Sequence, residues 1–232
     1  MGFHEAFIYS AEHGLFFESL IYLNKYKNIV EIGTANATTT NYLCNGAKKT
    51  GGHVTAFDIW DTHGLKNQFG ALCPMEEAVN YMKSTGHDNW TFVRQNTLSQ
   101  EFKDCINNMG LIDFAFIDGC HSYSGVKNDF DIIYPKLSPV GTIVFHDTLR
   151  IDGCREFMID LRTKFNDGTY DVIDFPHGNG DRRCGISMLV KRSFPIINEP
   201  CDEVCNLDDH REVIYQKEKD WYANELLISS RS

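Results

Sequence analysis

A chain of 232 residues, 42% apolar and 23% charged, is long enough to bury one complete α/β core and ordinary in composition for a globular protein. A formal net charge of −10 with no Lys/Arg-rich run excludes a nucleic-acid backbone as the main partner. No apolar run reaches the length of a membrane span and no signal-peptide pattern opens the chain, so the expectation is no membrane partner and a cytoplasmic setting.

Residues 5–24 place Phe7, Ile8, Leu15, Phe16, Leu20 and Ile21 at helical spacing, with Gly14 as a potential break into two helices. His4, Glu5, Glu12 and His13 within it read as solvated surface, with a lid or substrate role as the alternative. Residues 28–32 form a strand, followed by the turn Gly33-Thr34-Ala35 and a helix from Thr38, its expected N-cap, to about Lys49. Backbone N–H groups delivered to a helix start suit a carboxylate or phosphate. A second strand, 53–58, closes on Asp58, 25 positions after Gly33, where an acid can accept both hydroxyls of a ribose.

A helix over about 74–85 and a strand over 90–95 lead to the polar pair Asn96-Thr97. A helix over 99–109 returns to the strand 112–118, an apolar run that ends in Asp118-Gly119-Cys120-His121. The helix over 124–137 carries Val126, Phe130, Ile133 and Leu137 on one face, with Asp129 read as helix surface and Asp113 as solvated. Ser138-Pro139-Val140-Gly141 reads as a turn into a fifth strand that ends in His146-Asp147. A helix over 153–165, a strand over 170–175, a polar loop over 176–183 and a strand over 185–190 follow.

Five β-then-α units and a closing pair of strands predict a doubly wound, seven-stranded, mostly parallel sheet with helices on both faces. The chain divides into a helical cap (1–27), a core (28–193) and an extension (194–232), whose helix over about 209–227 is apolar enough to dock on the core or on a second subunit as a homo-oligomer. Of the eight cysteines, none in a Cys-x-x-Cys pair, most are expected to be reduced and structural; Cys201 and Cys205, four apart, could pair or bind metal, but no nearby pair completes a zinc set.

In an open parallel sheet, ligands bind beyond the carboxyl ends of the strands. If strands 112–118 and 141–147 are neighbours, Asp118, His121, His146 and Asp147 converge on one spot. The plainer readings are Asp118 as a turn cap, His121 as a loop hydrogen-bonder and His146-Asp147 as an ordinary β–α turn.

Val30-Glu31-Ile32-Gly33-Thr34, Ala56-Phe57-Asp58, Ile117-Asp118-Gly119-Cys120-His121-Ser122-Tyr123 and His146-Asp147-Thr148 together resemble the class I S-adenosylmethionine-dependent methyltransferases over roughly residues 28–150. The similarity is greatest to small metal-dependent O-methyltransferases acting on sugar hydroxyls, and more distant to the catechol type. The resemblance implies that Glu31, Gly33, Thr34, Ala35, Thr38, Asp58, Ile59, Asn96, Thr97 and Asp118 line the S-adenosylmethionine site. It implies Asp118, Asp147 and His146 as ligands of Mg²⁺ or Mn²⁺, and His121 as the base beside Asp118. Two departures stand out: His146 replaces a carboxylate, and Ala35 and Ala37 replace glycines at the cofactor turn. The implied acceptor is a sugar or glycan hydroxyl, with a small aromatic diol as the alternative, and a non-catalytic cofactor-binding scaffold as the rival class.

Overall fold

A computed structural model describes residues 3–60, 74–175 and 184–193, with side chains from residue 13 onward. The expected helix over 209–227, the polar loop over 176–183 and the extension 194–232 lie outside the described residues.

Seven strands form one sheet: β1 (Asn28–Ile32), β2 (His53–Asp58), β3 (Trp90–Arg94), β4 (Ile112–Ile117), β5 (Leu137–His146), β6 (Tyr170–Phe175) and β7 (Ile186–Lys191). Their order is β3-β2-β1-β4-β5-β7-β6, with the first five parallel and β7 antiparallel to both neighbours. The helices are α1 (Phe3–Leu23), α2 (Thr38–Thr50), α3 (Met75–Thr85), α4 (Gln100–Asn108), α5 (Tyr123–Ile133) and α6 (Asp152–Thr163). The expected doubly wound architecture is the one observed.

Each face of the sheet has its own core. Val30, Ile32 and Ala115 pack with Phe102, Phe130 and Phe157 of α4, α5 and α6. Ile29, Phe114 and Phe116 pack with Phe17, Leu43 and Met82 of α1, α2 and α3. Burial on both faces is why the central strands read as unbroken apolar runs. Among the described residues no helix is long and apolar enough to cross a membrane.

Four local expectations need correction. Helix α1 runs unbroken through Gly14, where the glycine makes room for α2: a Cβ there would lie 2.2 Å from the Tyr42 ring. Helix α5 stops at Ile133, and Pro135 sits in a single 3₁₀ turn over Tyr134–Lys136. Residues 138–141 belong to β5: the β4–β5 register slips between Ile112↔Leu137 and Phe114↔Thr142, with Val140 at φ 60°. The Tyr26 hydroxyl holds this bulge at 2.8 Å from the Val140 carbonyl and 2.9 Å from Thr142 Oγ1. Asp113, read as solvated, accepts the backbone N–H groups of Lys27 and Asn28 at 2.9 and 3.0 Å and so clamps the start of β1 to β4.

Candidate active site at the carboxyl ends of the strands

The sheet reverses its winding between β1 and β4, and the candidate residues gather just beyond that point. Gly33, at φ 89°, donates its N–H to Phe57 O at 2.9 Å, and Asp118 donates its own to Ile32 O at 2.8 Å. A Cβ on Gly33 would meet the Asp118 carbonyl oxygen at 2.1 Å, so only glycine lets the two loops pack backbone to backbone.

Both alanines of the following turn occupy left-handed backbone, Ala35 at φ 46° and Ala37 at φ 65°. The chain therefore keeps the glycine-like conformation without the glycines. Asp58 braces the turn: its carboxylate accepts the Ala35 N–H at 2.8 Å and the Trp60 N–H at 2.6 Å, straddling the half-buried Ile59. The Trp60 indole N–H reaches the Ala35 carbonyl at 3.0 Å. Thr34 is buried under this arch. Thr38 is not the N-cap; Ala37 holds that position without a side-chain bond. Asn36 Oδ1 instead accepts from the Thr38 hydroxyl at 2.7 Å and the Thr38 N–H at 3.3 Å.

Glu31, fully buried on β1, accepts the Thr40 hydroxyl at Oε2, while Oε1 has no hydrogen-bond partner among the described residues. Burial pushes its carboxyl well above the usual carboxylate range, against the Thr40 hydrogen bond, and the charges of Asp118 and Asp58 add to the rise. Beyond β3, the exposed Asn96 accepts the Leu98 N–H at 3.0 Å, and the Thr97 carbonyl accepts from Asn128 Nδ2 at 3.0 Å. Gln95 N–H bonds to the Asp58 carbonyl at 3.0 Å, which keeps this pair beside the arch. Asp129, read as helix surface, is fully buried behind the pair, with Oδ2 lacking a partner among the described residues. Burial raises its carboxyl to about 6, against the hydrogen bonds from Thr97 and Asn128.

Strands β4 and β5 are neighbours, and the four acid and histidine residues do converge. Asp118 Oδ1 lies 3.1 Å from His121 Nε2 and 3.2 Å from His146 Nδ1. Asp147, at φ 57° on the far side, comes within 3.6 Å of His121 Nε2 and 3.8 Å of His146 Nδ1. Burial opposes ionisation of Asp118, but the charge of His146 and the hydrogen bond from His121 outweigh it and hold the carboxyl well below its usual range. Burial likewise disfavours the charged imidazoles, yet Asp118 and Asp147 raise His121 and lift His146 to about 9.

Two further residues reach this cluster, and of these the sequence offered only His13, as the alternative to solvated surface. His13 is buried rather than solvated, its ring 5.2 Å from that of His146 and stacked on Phe116 at 6.3 Å, so α1 walls the site. Cys184 joins His146 and Asp147 in one group of metal-capable atoms; Asp118, His121 and Asp147 form another, each group spanning no more than 4.8 Å.

The sheet order and a site at its switch point define a class I methyltransferase fold. An O-methyltransferase from Bacillus cereus, solved in complex with SAH, superposes with a TM-score of 0.63 at 18% identity, covering 78% of this chain and 81% of that one. TomG, an O-methyltransferase of Streptomyces achromogenes involved in tomaymycin synthesis and solved with SAM, gives a TM-score of 0.62 at 14% identity, covering 78% and 80%. In sequence, the methyltransferase-domain family matches residues 30–148, just over half of the chain, and the chain belongs to that family. The protein y4gI of Sinorhizobium fredii is 31% identical over 142 residues, which are 59% of this chain and 15% of that protein. The chain therefore matches only a small part of that relative's length.

Proposed function

We propose that the chain is an S-adenosylmethionine-dependent O-methyltransferase that methylates a hydroxyl of a sugar or glycan, with Mg²⁺ or Mn²⁺ held by Asp118 and Asp147. The observation that carries the reading is the Asp118–His121–Asp147 group at the strand ends, its ligand atoms within 4.8 Å of one another. Two hard carboxylates suit Mg²⁺ or Mn²⁺, and such an ion, when bound, lowers the pKa of a hydroxyl. The Gly33–Ala35 turn, Thr38, Asp58, Ile59 and Asn96-Thr97 would hold the methyl donor, which supplies an electrophilic methyl group. The buried acid Glu31, with one oxygen free of partners among the described residues, suits the positively charged methionine end.

His121 is the base. Its Nε2 lies 3.1 Å from Asp118, so the carboxylate orients the imidazole and stabilises the charge that forms when the ring takes the hydroxyl proton. Phe116 and His13 pack against His146 and exclude water from that side. A cytoplasmic setting accords with the free thiols at Cys44, Cys105, Cys120 and Cys154.

Incubation with methyl-labelled S-adenosylmethionine and a panel of simple glycosides plus catechol tests the reading. Label should pass to a glycoside, stop in excess EDTA and resume with Mg²⁺ or Mn²⁺. His121→Gln should bind the donor normally and turn over about 10²- to 10⁴-fold more slowly. Full transfer in EDTA would remove the metal, label on catechol alone would move the acceptor, and transfer to none would leave a binding scaffold.

A further inference from the structure

We infer that His146, Asp147 and Cys184 form a distinct, softer metal site that takes Zn²⁺ or another thiophilic divalent ion. One nitrogen, one carboxylate oxygen and one sulfur lie within 4.8 Å of one another, against the oxygen-dominated group of Asp118, His121 and Asp147. Zinc accepts nitrogen, oxygen and sulfur ligands and uses three protein ligands where a fourth position stays open. Mg²⁺ has little affinity for sulfur, so the donor set itself discriminates.

The fold builds this group deliberately at the backbone level. The β5–β7 ladder pairs His146 with Ile186 and then continues past the strand ends. Leu149 N–H bonds to the Cys184 carbonyl at 2.9 Å, and Thr148 N–H to the Gly185 carbonyl at 3.4 Å. Cys184 is thereby fixed against the Thr148–Leu149 backbone, with its sulfur within 4.8 Å of an Asp147 carboxylate oxygen. Gly185, at φ 77°, makes the approach possible, because a Cβ there would meet the Leu149 side chain at 2.4 Å. Asp147 is itself in left-handed backbone at φ 57°, an uncommon conformation for aspartate that turns its carboxylate between the two groups. The His146 ring is held by Phe116 at 6.0 Å and His13 at 5.2 Å.

Binding forms a metal–sulfur bond and releases the thiol proton to solvent, with no change of oxidation state. Because Asp147 belongs to both groups, an ion bound to Cys184 withdraws it from the Asp118 side. A thiophilic ion should therefore antagonise Mg²⁺-dependent methyl transfer. That last consequence rests on the proposed function; the binding site does not.

Co²⁺ alone is the probe, since a thiolate ligand gives it a near-ultraviolet charge-transfer band. Titration of the metal-free full chain should produce that band at about one equivalent, and Zn²⁺ should abolish it by displacement. Cys184→Ser should lack the band, His146→Gln should need at least about tenfold more Co²⁺, and Asp118→Asn should retain it. No band in the wild type, or an equal band in Cys184→Ser, would overturn the site. Should Cys184→Ser fail to fold, alkylation of the wild type decides: Zn²⁺ must slow modification of Cys184, mapped by mass spectrometry, and unslowed modification refutes binding. A cobalt band with no methyl transfer under any condition would refute the methyltransferase reading and leave this site standing.

Discussion

Gly33→Ala tests how the donor turn and Asp118 are held together. The new Cβ would lie 2.1 Å from the Asp118 carbonyl oxygen and 2.4 Å from its carbonyl carbon. Both are backbone atoms, so no side-chain rotation relieves the contact. Left-handed backbone costs an alanine about 1–2 kcal/mol. Separating the loops also strains the bonds from Gly33 N–H to Phe57 and from Asp118 N–H to Ile32, each worth about 1 kcal/mol. The expected loss is about 3–4 kcal/mol, or a fall in Tm of roughly 6–15 °C for a chain of this size. Two positions on, the exposed Ala35 at φ 46° should respond with the opposite sign. Ala35→Gly removes the left-handed penalty and adds freedom to the unfolded chain, for a net gain of about 0.5 kcal/mol. Thermal unfolding followed by circular dichroism reads both. A Gly33→Ala midpoint within about 2 °C of wild type would refute the backbone packing argument.

Three other outcomes follow from the site. Asp58→Ala should weaken donor binding by roughly 1–3 kcal/mol and also lower stability, because the carboxylate braces Ala35 and Trp60; calorimetric affinity equal to wild type would remove Asp58 from the site. In metal-free protein, the His146–Asp118 pair should stabilise fully below pH 6.5, and this contribution, on the order of 3 kcal/mol, should fade as pH rises through about 9. The sign follows from a folded value above the unfolded one, and a urea midpoint no more pH-dependent than that of His146→Gln would contradict it. Asp129, raised from 3.8 to about 6, binds its proton more tightly when folded, so its stabilisation is lost as pH rises between those values. Asp129→Asn should therefore gain on the order of 1–3 kcal/mol over wild type at pH 8 and little at pH 4; an equal difference at both pH values would assign the effect to packing.

Much of the frame is legible in the residues because the sheet is covered on both faces. Phe114–Ile117 and Ile143–Phe145 are apolar without alternation, and each run leads into the polar residues that start a loop. Adjacency of those strands then brings Asp118, His121, His146 and Asp147 together. What stays hidden depends on partners distant in sequence. Helical spacing around Gly14 says nothing of Tyr42 lying across it. Thr38 has the chemistry of a cap, but the left-handed Ala37 gives Asn36 that work. Asp129 had a usable signal: it lies three residues after Val126 and four before Ile133, within the buried stripe of α5. Cys184 had none, since its place near Asp147 comes from the antiparallel pairing of β7 with β5 and the backbone bonds just beyond it.

The hydrogen bond from the Trp60 indole to the Ala35 carbonyl gives the turn an optical reporter. Trp60 is 5% exposed, 5.4 Å from the Phe92 ring, and its N–H is committed to the arch that Asp58 braces. The chain has two other tryptophans, Trp90 and Trp221, and Trp90 bonds to the His87 carbonyl at the opposite end of its strand. With those two replaced by phenylalanine, the remaining emission would follow the arch alone. Any solute that pulls Ala35 away from the indole would shift its colour, so occupancy of the turn becomes readable without a label.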